Sequence, residues 1–599
     1  MTVDQRIAAL RQQMKLYHID AWIVPSSDPH QSEYVADHWK AREWISGFTG
    51  SAGIAVITHR HAGLWTDSRY FIQATQQLTH TEMVLHKQRV PYAPEHVDWL
   101  VNHLPQGATV GCNGWLFSVG EIQMLQKKLA QRHIRLDTTR DLIAEIWTDR
   151  PPLPTEPVFE HELKYAGRTR AQKLEAVRKR MAQLGAQHYL ITTLDDIAWL
   201  YNLRGRDVSC NPVFYAWALI SVQDAHLFVG AQKVPTPLRT ALKADHIWLH
   251  PYEAITDILS NLSEGPILLD TSTLNYQLWT LIPQVMRMTG PHIARQMKAV
   301  KNEVEIAHLR RVMVRDGVAL VKLFMWLERT LRERPVPETE VAQRLQELRR
   351  AQGNYFGESF EAIVGYQANG AIVHYRAEPD HCALIKPQGL LLLDSGGQYF
   401  DGTTDITRTI ALGAPTPQQK RHFTLVLKGH IELARARFPK GTTGVQLDTL
   451  ARIHLWQDQL NYGHGTGHGV GFFLNVHEPP QGFTPSPHTS RGGTELIPGM
   501  VTSNEPGLYL ADQYGIRIEN LVLCRECGKN EFGTFFEHET LTLFPIDKQL
   551  IEISLLTPQE RHWLDEYHQL VWEKLSPHLT DAEQAWLQPR CTPLKTITS

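Results

Sequence analysis

The run Leu391-Leu392-Leu393-Asp394-Ser395-Gly396-Gly397-Gln398-Tyr399-Phe400-Asp401-Gly402-Thr403-Thr404-Asp405-Ile406-Thr407-Arg408-Thr409 reads as a hairpin with an acid on each arm. An apolar strand ends in Asp394, a tight turn follows, and Asp405 enters the returning strand. Antiparallel partners share a constant index sum. A two-residue loop at Tyr399-Phe400 sets Asp394 opposite Asp405, whereas a turn at Asp401-Gly402, the stronger turn signal, offsets them by four residues. Both registers keep the two carboxylates on one face. Taken alone, a surface hairpin with a solvated aspartate is the simpler reading.

Two further stretches change that balance. Gly463-His464-Gly465-Thr466-Gly467-His468-Gly469-Val470-Gly471 spaces two histidines as in a helical zinc motif. That motif needs a helix and a glutamate after the first histidine, and alternating glycines argue against a helix. In an extended chain the even spacing keeps both imidazoles on one face, and the glycines admit close approach of backbone or substrate. His477 follows in Asn475-Val476-His477-Glu478. Then Ser503-Asn504-Glu505-Pro506-Gly507-Leu508-Tyr509 ends a strand at Glu505, and Gly515-Ile516-Arg517-Ile518-Glu519-Asn520 sets Glu519 and Arg517 on one strand face. A carboxylate in so apolar a strand requires a partner, either an arginine or a metal.

The combined set is two aspartates, one histidine and two glutamates. Oxygen ligands with one imidazole suit Mn²⁺, Co²⁺, Fe²⁺ or Zn²⁺. Four anionic ligands can neutralise a pair of divalent ions, which together activate water and polarise a carbonyl. The chemistry suggested is amide hydrolysis.

Outward from these residues, the chain has 599 residues, a prior of roughly three to four domains. The net charge of −3, from 60 basic and 63 acidic residues, argues against a bulk polyanion binder, so no nucleic-acid partner is expected. Six cysteines are too few for a disulfide scaffold. Residues 1–18 lack the apolar core of a signal peptide, and no run reaches the ~18 apolar residues of a membrane span. A soluble cytoplasmic protein without membrane attachment is the expectation. Cys524-Arg525-Glu526-Cys527 is half of a zinc-ribbon pattern without a second half, and reads as two reduced surface cysteines. Thirty histidines are the compositional oddity.

Four prolines within 150–157 mark a linker, and a long helical pattern begins near 300. The domains expected are 1–155, 156–300 and 301–599. The first two open alike, with a helix (4–17 and 168–184), a short apolar strand, then a tryptophan-led helix ending at Gly47 or Gly205 and further strands, so they read as a duplicated α/β domain. The third shows helices to 352, short strands with turn signals and a helical tail after 557, an α+β pattern.

The third domain resembles the pita-bread metallopeptidases, which include methionine aminopeptidase, prolidase and aminopeptidase P. Its ordered Asp394, Asp405, His468, Glu505 and Glu519 match that family's dinuclear ligand set. Ser26 to Tyr34, 46–53, Trp65-Thr-Asp-Ser-Arg-Tyr70, Trp147-Thr-Asp-Arg-Pro151 and Leu194-Asp-Asp-Ile-Ala-Trp199 extend the resemblance over nearly the whole chain, to three-domain cytosolic Xaa-Pro aminopeptidases. The resemblance implies two creatinase-like α/β domains before a pita-bread catalytic domain, a homodimer, two divalent ions (Mn²⁺ foremost), and a peptide substrate with proline second. It implies that Asp405 and Glu519 bridge the ions, Asp394 chelates one, and His468 and Glu505 complete the other. It gives Glu505 the general-base role and His374 the tetrahedral intermediate. His464 and His477 fall to the proline side of the scissile bond, and Arg517 and Tyr509 orient the carboxylates. It further implies that the N-terminal domains cap the cleft and limit substrate length. One departure is the stretch 485–493, longer than usual before Glu505. The rivals are a prolidase-type dipeptidase, against which the duplicated unit speaks, a metal-free creatinase-type hydrolase, and a non-catalytic pita-bread binding protein. The complete ligand set speaks against the last two.

Overall fold

A hydroxyl or amide residue followed three positions later by Gln or Glu opens helix after helix. Thr2/Gln5, Thr169/Gln172, Asn302/Glu305, Thr416/Gln419 and Thr557/Glu560 all close reciprocal capping boxes, which satisfy otherwise orphaned N–H groups. The computed structural model describes residues 1–89, 93–486 and 490–594. Two compact units emerge. The first holds Met1–Leu163 and Arg168–Ala294, the second Lys164–Gly167 and Arg295–Ser599.

The first unit contains two six-stranded sheets of one topology. In one the order is Val84–Lys87, Ala62–Thr66, Ile54–Thr58, Ala21–Val24, Thr109–Cys112, Arg135–Asp137. In the other it is Ile247–His250, Ala225–Val229, Ala216–Ser221, His188–Ile191, Ile267–Leu269, Arg287–Thr289. In each, the third strand in this order is antiparallel to both neighbours and every other pair is parallel. The tryptophan-led helices differ from expectation. Trp44 lies within Ala41–Ser46, which Gly47 ends in a left-handed cap at φ 73°. Trp199 lies near the end of Leu194–Leu200, and Gly205 falls beyond the short strand Leu203–Arg204.

Within this unit the Ser26–Tyr34 motif serves as a buried joint. The His30 ring, fully buried, meets the Thr192 carbonyl through Nδ1 (2.6 Å) and the Tyr252 hydroxyl through Nε2 (2.8 Å), and stacks on Trp217. Tyr215 donates to Asp28 (2.8 Å) beside it. Burial pushes the His30 pKa down to about 4, against the weaker upward pull of Asp28.

The second unit carries the acidic hairpin and the glycine-histidine run. Ile363–Tyr366, Leu390–Ser395 and Ile406–Ala411 form one antiparallel sheet. A six-stranded sheet includes Glu478–Phe483, Gly467–Gly469, Val501–Asn504 and Asn520–Asn530. Leu309, Met313, Leu320, Leu323, Phe324 and Leu327 of the helix Glu303–Thr330 pack into the same core as Leu391, Leu393, Val501 and Leu521. The apolar spacing that marks the helix therefore also marks its buried face. The tail forms the helices Pro558–Leu575 and Asp581–Cys591. Cys524 is buried, not at the surface as expected, Cys527 is exposed, and both are free. No described helix is long and apolar enough to cross a membrane.

The joint predicts acid sensitivity. A histidine whose pKa is lower folded than unfolded disfavours protonation of the native state. Stability is thus full above the unfolded value of 6.5 and lost as pH falls from there toward 4. This group alone accounts for about 3 kcal/mol over that window. In hydrogen-exchange measurements on the full chain, the stability gap between wild type and His30→Asn is expected to narrow between pH 7 and 4. A gap that stays constant refutes the assignment.

Candidate metal centre

The hairpin register differs from both expected alternatives. Asp394 pairs with Thr407, and Gln398 with Thr403, so the loop is Phe400-Asp401. Asp401-Gly402 serves packing instead of forming the turn. The Asp401 carboxylate pairs with Arg315 (2.5 Å) and His308 (3.4 Å), and a Cβ on Gly402 would press on Leu309 and Val312 of the same helix at 3.1 and 3.2 Å. The hairpin also splits. Gly402–Thr403 and Ile406–Ala411 belong to different sheets, with Asp405 in the break between them. The index parity is unchanged, so Asp394 and Asp405 still share a face.

Of the glycine-histidine run only Gly467–Gly469 is strand, and His464 lies in a bend before it. A Cβ on Gly467 would stand 1.8 Å from the Ser503 carbonyl, and one on Gly469 2.3 Å from that of Glu478. Glycine here lets two neighbouring strands close on His468 from either side. His468 Nδ1 meets the Gly469 carbonyl (2.9 Å), which fixes the ring and turns Nε2 toward the acids. Nε2 stands 3.3 Å from Glu505 Oε1 and 3.5 Å from Asp405 Oδ2. Ligand atoms of Asp405, His468 and Glu519 all lie within 4.8 Å of one another.

Glu505 follows Val501–Asn504, and its N–H donates to the Thr466 carbonyl (2.8 Å). Glu519 sits in a second break, between Tyr514–Arg517 and Asn520–Asn530, so it is not within a continuous strand as expected. Thr407 donates to Glu519 Oε2 (2.7 Å), and Ser503 to Glu505 Oε1 (3.0 Å). These hydroxyl residues were not singled out from sequence. Thr407 lies two residues after Asp405 and Ser503 two residues before Glu505, each on the strand that adjoins the acid.

Arg517 joins the acids to the histidines. It donates to Asp394 Oδ2 (2.6 Å) and to the Tyr509 hydroxyl (2.7 Å), which in turn meets His464 Nε2 (2.8 Å). The His477 ring lies edge-on to that of His468, centroids 4.3 Å apart. Glu478 beyond it is buried against Lys301 and Lys298. His374 lies in a turn after Gln367–Ala371. Buried Glu338, also not singled out, anchors that turn. It accepts from the Tyr366 N–H (2.8 Å), Asn369 (3.0 Å), the Tyr375 hydroxyl (2.7 Å) and the Ala383 N–H (2.8 Å). Of the stretch 485–493, residues 487–489 lie outside the described residues.

The electrostatics fit cations. Burial, then Glu519, Asp394 and Glu505, holds Asp405 well above the usual carboxylate range. Burial with Glu505 and Asp394 does the same to Glu519. Burial pushes Glu505 up to about 7, although Arg517 pulls it back. Among the described residues, Asp394 Oδ1 and Glu519 Oε1 are buried and accept no hydrogen bond. Divalent ions would answer both the repulsion and the unsatisfied oxygens. The other acid-histidine cluster, Glu432, His454 and Glu560, is already matched, since Lys428 Nζ stands 2.7 Å from both Glu560 oxygens.

The fold is that of a pita-bread metallopeptidase behind creatinase-like N-terminal domains. The Creatinase/Prolidase N-terminal domain profile matches residues 6–146, a second profile of that description 149–305, Metallopeptidase family M24 307–526, and the C-terminal region of peptidase_M24 534–594. A probable Xaa-Pro aminopeptidase P of Laccaria bicolor is 41% identical, over 99% of this chain and 94% of its own length. Aminopeptidase P2 of Arabidopsis thaliana is 40% identical, over 99% and 89%. The crystal structure of the X-prolyl aminopeptidase from Caenorhabditis elegans, described as a cytosolic enzyme with a di-nuclear active site, superposes with TM-score 0.94 at 35% identity, covering 99% of this chain and all (100%) of that one. The chain belongs to the aminopeptidase P family of M24 metallopeptidases.

The raised carboxylates predict how metal-free protein responds to pH. An acid whose pKa is higher folded than unfolded stabilises the fold below its unfolded value. For Glu505 that contribution is lost as pH rises from 4.5 toward 7, about 3 kcal/mol in all. Chelator-treated protein is therefore expected to melt at lower temperature at pH 8 than at pH 5, with a smaller drop for Glu505→Gln. Added Mn²⁺ is expected to stabilise most at pH 8. A metal-free pH dependence that is the same in wild type and Glu505→Gln contradicts the assignment.

Proposed function

We propose that this protein is a metal-dependent aminopeptidase that hydrolyses the bond between an N-terminal residue and a following proline. The observation that carries it is the convergence of Asp405, His468, Glu505 and Glu519, with Asp394 beside Arg517, in a chain matched end to end by Xaa-Pro aminopeptidases. In this reading the chain divides near 155 and 300 into three domains, acts in the cytosol and pairs as a homodimer. Asp405 and Glu519 would hold two divalent ions in common, Asp394 one of them, and His468 with Glu505 the other. Manganese is the ion we favour. When bound, the ions lower the pKa of a water and polarise the scissile carbonyl.

The chain's own groups then do the following. An Xaa-Pro bond is a tertiary amide with no N–H, so a site that grips backbone N–H groups cannot hold it. Glu505 is placed to take a proton from the attacking water and pass it to the proline nitrogen. His374 donates to the oxygen that becomes anionic as the carbonyl turns tetrahedral. His464 and His477 contact substrate on the proline side. Tyr509 and Arg517 hold His464 and Asp394 in one hydrogen-bonded line. The dipeptidase alternative is disfavoured by agreement over 99% of this chain with relatives named as Xaa-Pro aminopeptidases.

With Mn²⁺ supplied, the protein is expected to release the first residue of Xaa-Pro-Yaa peptides. Glu505→Gln and His468→Ala are each expected to lower kcat/KM by at least about 10²-fold with far-UV circular dichroism unchanged. Normal turnover by a metal-free sample would overturn the mechanism. Glu338→Gln tests the anchoring of the His374 turn. It should lower kcat with little change in metal stoichiometry, whereas an unchanged kcat excludes that positioning role.

A further inference from the structure

The centre above engages four of the chain's 30 histidines. Elsewhere, two pairs bring ring nitrogens together. His61 Nε2 and His86 Nε2 are 3.0 Å apart, and His226 Nδ1 and His250 Nε2 are also 3.0 Å apart. His86 and His250 occupy one position of the duplicated fold. Each lies on the edge strand of its sheet, opposite the fourth residue of the neighbouring strand, Trp65 in one case and Phe228 in the other. Each also stacks on that aromatic ring, with centroids 3.9 and 4.9 Å apart. The second imidazole arrives from different places. His61 immediately precedes its strand, and His226 is the second residue of the corresponding strand. The two halves thus reach one nitrogen-to-nitrogen spacing by different routes.

That spacing fits chelation. Two imidazole nitrogens, each about 2.0–2.1 Å from one ion and 90–109° apart around it, stand about 2.9–3.4 Å from each other. Rings of His61 and His86 are half-buried, so solvent ions can reach them. Trp99 stacks on His61 from the other side and clamps the pair. The two Nε2 atoms share one hydrogen bond, and burial lowers the pKa of both imidazoles, that of His86 to about 4, so near neutral pH the rings carry no second proton and an ion need only shift the shared one to the outer nitrogens. A donor set of imidazoles without thiolate suits Cu²⁺, Ni²⁺ and Zn²⁺, and ranks Cu²⁺ first.

We propose that His61 and His86 form a transition-metal site on the edge of the first N-terminal sheet, separate from the carboxylate centre and selective for Cu²⁺ or Ni²⁺ over Mn²⁺. The ion would tie the edge strand Val84–Lys87 to the turn before Ala62–Thr66 and stabilise the first unit by linkage.

The test uses the full chain with its catalytic centre loaded with Mn²⁺, in a His250→Gln background that removes the sister pair. Cu²⁺ is titrated while tryptophan fluorescence is read, because Trp65 stacks on His86 and reports a bound paramagnetic ion. Low-temperature Cu²⁺ electron paramagnetic resonance counts the coordinated nitrogens. The expected result is saturable quenching with nitrogen hyperfine structure, weakened at least about tenfold by adding either His61→Gln or His86→Gln, with peptide turnover unchanged. His61→Gln, at a turn, keeps the test decisive if His86→Gln folds poorly. Equal Cu²⁺ affinity with and without His61, or binding that tracks loss of peptide turnover, overturns the proposal.

Discussion

Everything in the catalytic half is arranged around the mutual repulsion of four buried carboxylates. Asp394, Asp405, Glu505 and Glu519 approach one another where water cannot screen them; Arg517 pairs with Asp394, and buried Arg408 bonds the Glu519 carbonyl. The protein answers in three ways. Thr407 and Ser503 donate hydrogen bonds to individual oxygens, Arg517 holds Asp394, and two oxygens are left without any donor. That shortfall is itself informative. A site meant only to be stable would have satisfied or removed those oxygens, because buried unpaired acceptors cost free energy.

The scaffold that tolerates this crowding is built from interruptions. Asp405 and Glu519 both stand in breaks between strands, and Glu505 just past a strand's end. At such places the backbone is free of ladder geometry, and side chains can turn inward from different sheets. The glycines around His468 serve the same end, letting adjacent strands close to distances that a Cβ would forbid.

How much of this is legible in the sequence follows from the range of each signal. The five ligand-type residues and their histidine companions can be found because the motifs are local and chemically unusual. The duplicated half is legible because each copy repeats the order of helix, strand and helix. The hairpin register is not. Asp401-Gly402 carries the local chemistry of a turn, yet its Asp pairs with Arg315 and its Gly packs on Leu309 and Val312, residues almost a hundred positions away. The Glu338 anchor is hidden for the same reason, since its four donors come from 366 to 383. Thr407 and Ser503 were readable in principle from their two-residue spacing to the acids.

The line His464–Tyr509–Arg517–Asp394 has a thermodynamic consequence. In the proposed mechanism, a histidine that would face substrate and a carboxylate that would face a cation are joined through Tyr509 and one guanidinium. Any charge that draws on Asp394 alters how tightly Arg517 grips Tyr509, and so the free energy of setting the His464 ring. Reciprocity then requires the converse: a peptide that reorients His464 changes the affinity of the acids for their ions by the same factor. In that mechanism, occupancy by peptide and by ions would form one coupled equilibrium carried through Arg517.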